Sequence, residues 1–355
     1  MVEANHPFRC LRDNDMRFSE ILALTVFAFI PLSPAMSVAQ QADTDPWNFE
    51  RMAPNLRHLS CPDDVDVFPF SSLDIGVDPV KLGAPNDVEQ ALPQGVTFVG
   101  GWHLTANNSD FGGLSGLDIT ETGDLLAVSD RGTFFTIGMA NGAPDGRGQM
   151  SEMLDAKGKK LSRKRNIDAE GLAYREGLAM VSFERNHRVL AFDLAGCEGV
   201  ARGVRVSQLP DQLAGQSIKP NGGAEALWIR PDGGLTVGYE TVINNRATLL
   251  TLDQVGGVLE QTVTIDVPRQ FKLVGASGSA YLLRAYNDTL GNRNEIRLTD
   301  QNVAFKLASP LKVDNFEGIA LSDPEGGARR LYIISDDNFS GRQRTLLYAF
   351  DITPS

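Results

Sequence analysis

The sequence predicts an all-β chain folded as a β-propeller. Three observations point there. The 355 residues include Gly 35 and Pro 18, with Val, Ile, Thr and aromatic residues in short runs, which means many turns between many short strands. One apolar, Gly-turn, apolar segment recurs along the chain at a spacing of 55 residues between its first copies. Further short strands follow each copy, as blades of three or four strands require. At 42% hydrophobic and 22% charged, the chain is globular in composition. Its formal charge of -12 excludes nucleic acid or an anionic membrane as the main partner, because phosphates are bound through clustered Lys and Arg. Cations are the better match.

The chain begins with an address. The apolar run 21–32, preceded by Arg17 and followed by Pro34 and the Ser37, Val38, Ala39 triplet, reads as a secretory signal peptide over 1–39, cleaved before Gln40. Residues 1–15 look unlike its basic leader, so Met16 is the expected true start. The run is shorter than the roughly 20 apolar residues of a membrane span. A soluble monomer in the periplasm or medium is therefore expected, with no membrane span after cleavage. Cleavage leaves Cys61 and Cys197, which in an oxidising compartment can form one disulfide. Two unrelated thiols are the alternative, because spacing does not show that their Cα atoms come within bridging distance. His58, His103 and His187 make no zinc-like spacing. Residues 40–94, rich in Pro and Asp and poor in periodicity, read as an extension wrapped on a propeller domain at 95–355.

Four segments superpose: GGLSGLDITETGDLLAVSDRG from Gly112, DAEGLAYREGLAMVSFERN from Asp168, GGAEALWIRPDGGLTVGYE from Gly222 and NFEGIALSDPEGGARRLYIISDDN from Asn315. Ser115, Glu170, Glu225 and Glu317 hold a first position, and Asp130, Glu184, Glu240 and Asp336 a second. A fifth copy, FKLVGASGSAYLLRAYND, fills the wider last gap, with Lys272 and Arg284 about where the acids would be. Adding the strand material of 95–104 favours six blades, with five or seven also open. The strand near Val96 is expected to join the last blade beside TLLYAFDI and close the ring. The insert 151–165, with six basic and two acidic residues, reads as a solvated loop or hairpin rather than a binding patch.

A hairpin returns the chain to the end where it began, so its two flanking residues meet at its open end. If the hairpins are the inner strands, the acids ring one mouth of the channel. Crowded carboxylates raise one another's pKa, and a hard divalent cation relieves the repulsion. Calcium suits Glu170, Glu184, Glu225, Glu240, Glu317 and Asp336, with Asn186, Asn221, Asn315 and Asn338 as further oxygen donors. Arg131, Arg185, Lys219, Lys272 and Arg284 recur beside the acids and could hold an anion against the metal. Ion pairing with neighbouring acids, or hydrogen bonds holding blades together, would explain the same residues structurally. GLSGL at Gly113 is not a nucleophile elbow, since Leu117 stands where its second Gly belongs. Phosphate loops, dinucleotide fingerprints and EF-hand loops are absent from the sequence.

Taken together, GGLSGLDIT, LLAVSDRG, DAEGLAY, GGAEALW, NFEGIAL and LYIISDDNF resemble the phytase-like family of secreted bacterial β-propeller proteins over about 96–352. The resemblance implies a propeller fold, export and hydrolysis of phosphate or other esters, by relation to calcium-dependent propeller phytases. It departs from those phytases in lacking an obvious run of Lys, Arg and Asp ligands around a multi-calcium centre. Two functions are carried forward. One is a metal-assisted ester or phosphoester hydrolase using Ca²⁺ on a small anionic substrate, with Arg131 or Arg185 steadying the anionic group. The other is a non-catalytic ligand-binding or scaffold propeller. N-terminal sequencing of the exported protein should find Gln40 first; a retained 21–32 segment would refute the signal assignment.

Overall fold

The computed structural model describes residues 47–252, 261–322 and 327–353, so the signal segment lies outside the described residues. An arm comes first: α1 (Phe49–Ser60), β1 (Ser71–Pro79) and α2 (Pro85–Ala91), followed by β2 (Val96–Ala106). The first sheet is β3 (Leu114–Ile119), β4 (Leu125–Ser129), β5 (Thr133–Ala140) and β6 (Ala143–Glu152). One helical turn, α3 (Lys164–Ile167), leads to the second: β7 (Ala169–Arg175), β8 (Leu178–Phe183), β9 (Arg188–Asp193) and, after α4 (Leu194–Cys197), β10 (Val204–Gln208). A small hairpin, β11 (Gln212–Leu213) and β12 (Gln216–Ser217), precedes the third: β13 (Ala224–Ile229), β14 (Leu235–Ile243), β15 (Arg246–Thr251) and β16 (Gln261–Asp266). The fourth is β17 (Lys272–Ser277), β18 (Ala280–Asn287), β19 (Gly291–Leu298) and β20 (Val303–Leu307). The fifth is β21 (Phe316–Leu321), β22 (Arg329–Ser335) and β23 (Thr345–Ile352), completed by β2.

The inner strands touch in the order β3, β7, β13, β17, β21 and back to β3, so the sheets stand radially around an axis as propeller blades do. Five four-stranded blades are present among the described residues, where the sequence favoured six. The difference is β2: counted as a blade of its own, it is the outer strand of the fifth. It pairs with β23 from Val96↔Ile352 to Leu104↔Thr345, the closure expected from the sequence. β1 then pairs with both β2 and β6, sealing the seam between the fifth and first blades.

The core lies between blades rather than in one layer. Leu126, Val128 and Phe134 of the first blade meet Leu172, Val181 and Phe192 of the second. Near the axis the backbones approach closely, which small residues permit: a methyl added at Gly116 would stand 2.5 Å from the Glu170 carbonyl oxygen, and one at Gly171 2.8 Å from that of Glu225. At the end away from the mouth, side chains staple neighbouring blades. Asp118 accepts from the Tyr174 N–H at 2.7 Å, and Ser277 Oγ from the Leu321 N–H at 3.1 Å.

α1 is amphipathic, burying Phe49, Met52, Ala53, Leu56 and Ser60, with Asn48 capping its start by accepting from the Arg51 N–H. That face packs, together with Trp47, against Met180, Val189 and Leu227. At its C-terminal end Cys61 bonds to Cys197, their Cα atoms 5.4 Å apart, which fixes the arm to the second blade. No helix among the described residues is long and apolar enough to cross a membrane. Because the bond closes a loop of 136 residues, its loss by Cys61→Ser with Cys197→Ser should destabilise the fold by about 2–5 kcal/mol. Denaturant unfolding of the oxidised and variant proteins measures this, and equal midpoints would show that the arm is held by packing alone.

Candidate functional site

A β-bulge breaks the register of every inner strand, at Ser115, at Glu170 with Gly171, at Glu225, at Val274 and at Glu317. A bulge re-aims a side chain out of the alternating pattern. Just beyond it, one backbone hydrogen bond recurs. Asp130 N–H donates to Gly113 O at 3.0 Å, Glu184 to Asp168 at 2.9 Å, Glu240 to Gly223 at 2.9 Å and Asp336 to Asn315 at 3.0 Å. In the fourth blade Lys272 pairs with Arg284 at the corresponding place. The first position there is therefore Val274, two residues past Lys272. Arg284 does hold the second position. The sequence comparison missed this because an apolar residue at the bulge gave it no acid to align.

This geometry gathers the carboxylates at one mouth. Ligand oxygens of Asp168, Glu170 and Glu184 lie within 4.8 Å of one another, as do those of Glu184, Glu225 and Glu240. Glu170 and Glu225 are each 8% exposed and Glu184 4%. Among the described residues none of these three makes an ion pair. Burial, followed by the charges of Glu184 and Glu317, raises Glu170 well above the carboxylate range. Burial, then Glu170 and Glu240, does the same to Glu225. Burial lifts Glu184 to about 7 although the Gly223 N–H donates to it at 2.8 Å.

The flanks are neutralised in matching fashion, each by one Lys and one Arg. Asp168 takes Lys164 at 2.5 Å on one oxygen and Arg185 on the other. Glu240 takes Lys272 at 2.8 Å and Arg284 at 3.7 Å. Arg284 also reaches Glu317 at 3.0 Å and Asn315 Oδ1. Burial works to discharge Arg284, but Glu317, Glu225 and Glu240 outweigh it and keep the guanidinium charged. Burial raises Glu317, with Arg284 opposing. Asp336, raised to about 8 by burial and then Glu317, accepts from the Asn338 N–H at 2.6 Å.

Of the residues singled out from sequence, Glu170, Glu184, Glu225 and Glu240 converge in the two carboxylate groups, while Glu317 and Asp336 lie on the Arg284 side of the same mouth. Arg185, Lys272 and Arg284 hold acids. Lys219 stands exposed in the turn before β13. The Arg131 guanidinium carbon stands over the Phe339 ring, 3.2 Å from its centroid, on the wall of a cavity of about 590 Å³. Asn315 donates to Glu317 at 3.1 Å, Asn186 reaches Asn166, and Asn338 lines the cavity. The basic insert is a small hairpin, Leu154 bridging to Lys160, and Lys160 and Lys164 also line the cavity. Asp168 was not singled out: it stands two residues before Glu170, and only the bulge brings both into one group. His187, buried against Gly223, is outside the carboxylate groups.

These shifts fix a pH dependence. A carboxyl group raised by folding still holds its proton where the unfolded chain has released it, so its contribution to stability is full at acid pH and lost as pH rises. For Glu184 the window runs from the ordinary 4.5 to about 7, and for Asp336 from 3.8 to about 8. Chelator-treated protein should therefore melt lower at pH 8 than at pH 5 by roughly 5 °C or more, and Glu184→Gln should flatten the slope. A melting temperature that rises over this interval in scanning calorimetry would contradict the assignment.

Among curated proteins no relative matches the chain. Solved structures similar to it include the PQQ-bound aldose sugar dehydrogenase of Streptomyces coelicolor, at 11% identity and TM-score 0.44, covering 73% of this chain and 100% of that one. Another is the glutaminyl cyclase of Myxococcus xanthus, at 13% identity and TM-score 0.43, covering 73% of this chain and 97% of that one. The phytase-like family profile, described by the esterase-like activity of phytase, matches residues 109–257 and 258–339. The inner hairpins that build the acidic mouth are the segments it matches, and the chain belongs to the phytase-like family.

Proposed function

We propose that this protein is an exported, metal-assisted hydrolase of esters or phosphoesters, and that the acidic mouth is its active site. The observation carrying the reading is the Glu170, Glu184 and Glu225 group: three deeply buried carboxylates without an ion-pair partner among the described residues, between flanks that already have theirs. Such a group favours either protons or a cation. An all-oxygen donor set with no histidine or cysteine fits a hard ion such as Ca²⁺. Glu170, Glu184, Glu225 and Glu240 are the holding residues, and Glu317 and Asp336 complete the ring where Arg284 supplies positive charge. When bound, the cation would supply Lewis acidity toward an ester oxygen and water. Arg185 keeps Asp168 in place, and Arg131, at the cavity wall, steadies the anionic group of the substrate. The Cys61–Cys197 bond agrees with an oxidising, periplasmic or secreted destination.

The alternative is a binding or scaffold propeller in which the acids are structural. The ion pairs of Glu240 and Glu317 with Arg284 favour that role for those two residues. One preparation separates the readings. Ca²⁺ at about 100 times its dissociation constant should stabilise the chelated protein by about 2.7 kcal/mol. Glu225→Gln should remove most of that gain, and turnover across a panel of phosphate and carboxylate esters should follow the same metal dependence. Stabilisation without turnover makes the cation structural, and neither effect leaves the binding reading.

A further inference from the structure

We infer that the cavity between Arg131, the 152–167 segment and Phe339 binds an amphiphilic oxyanion, one whose phosphoryl or carboxylate group is joined directly to a flat apolar group. This rests on the hydrolase reading and specifies its substrate class. At about 590 Å³ the cavity has the size of a small-molecule site. Its wall divides by chemistry. Arg131 presents positive charge, as does Lys160, which also pairs with Glu152, whereas Leu161, Ile167 and Phe339 present apolar surface. Two acids border it, Asp110 and Asp130. Asp130 Oδ2 takes Lys164 at 2.8 Å, and Lys164 continues to Asp168 at 2.5 Å, so the cavity abuts the carboxylate groups.

Arg131 is the anchor. Among the described residues it forms no ion pair, and its one side-chain hydrogen bond, to Ser109 O, is stretched to 3.5 Å. With the guanidinium carbon held over Phe339 and only that long bond made, its N–H groups remain for a ligand. The platform beneath is built at a cost. Asn338 and Phe339 both hold φ near +48°, a left-handed conformation that a bulky residue adopts only when its surroundings enforce it. Asp337 enforces it by accepting from the N–H groups of Gly113 and Phe339 and from Thr345 Oγ1. Gly113 leaves room for the ring: a methyl there would lie 2.4 Å from Phe339 Cε2. A polyanion without apolar surface would leave half of this wall unused.

Calorimetric titration of the mature protein in chelator, with phenylphosphonate, benzoate, methylphosphonate and phenol, tests the inference. Phenylphosphonate or benzoate should bind about tenfold or more tightly than methylphosphonate, phenol weakest, and which aryl anion leads identifies the oxyanion. Arg131→Ala should weaken the aryl anions about 10- to 100-fold. Lys160→Gln, an exposed change that spares the fold, should weaken them less but measurably. Phe339→Ala should bring the aryl anions to the level of methylphosphonate. Equal binding of aryl and methyl anions, binding that needs Ca²⁺, or affinities indifferent to Arg131→Ala and Lys160→Gln would overturn the inference. Esters turned over with a KM indifferent to the aryl group would sink the cavity assignment and leave the hydrolase reading standing. Binding as expected with no ester turned over would do the reverse.

Discussion

The hydrogen bond from each second-position N–H to the carbonyl two residues before the bulge is the constraint on which the mouth depends. It brings both ends of every inner hairpin together at one level, and it recurs whether the residue is Asp130, Glu184, Glu240 or Asp336. Because the bond is made by backbone, the side chains at that level are free to vary, and the blades use the freedom unequally. Ser115 and Val274 interrupt the ring of acids, and Arg284 replaces an acid in the fourth blade. The site is therefore lopsided: carboxylates without an ion pair among the described residues belong to the second and third blades, and a guanidinium from the fourth reaches the acid of the fifth.

That asymmetry separates two chemistries that would otherwise cancel. A ring of five acids would titrate as one diffuse cluster. Here Asp168 and Glu240 are each held by a Lys and an Arg, while Glu170, Glu184, Glu225 and, on the Arg284 side, Asp336 have no ion pair among the described residues. The flanking lysines remain about half exposed, at 52% and 51%, while their ammonium groups pair with the buried acids.

Much of this was legible in the sequence, and the part that was not has a physical cause. Hairpin repeats with acids 14 and 15 residues apart located the mouth, since two strands and a Gly turn admit one geometry. The pairing of the Val96 strand with the last blade was legible from the need to close a sheet edge. The number of blades was not, because a strand that completes the fifth blade looks the same in sequence as one that starts a sixth. Asp168 and Val274 escaped because bulges suspend the two-residue alternation by which a strand's inward residues are read. α1 escaped because Pro54 and its short length mask an apolar stripe that only the packing of Phe49, Met52 and Leu56 reveals.

The seam formed by β2 and β23 also governs how the molecule comes into being. Strand Val96–Ala106 leaves the ribosome early and finds its partner, Thr345–Ile352, only when almost all of the chain has followed. Until then the first four blades lack ring closure, and β2, already able to pair with β1 on one side, has its other edge open to other chains. Long-range pairing of this kind folds slowly and exposes intermediates to aggregation. The ring is thus open to intermolecular pairing until its last strand locks it.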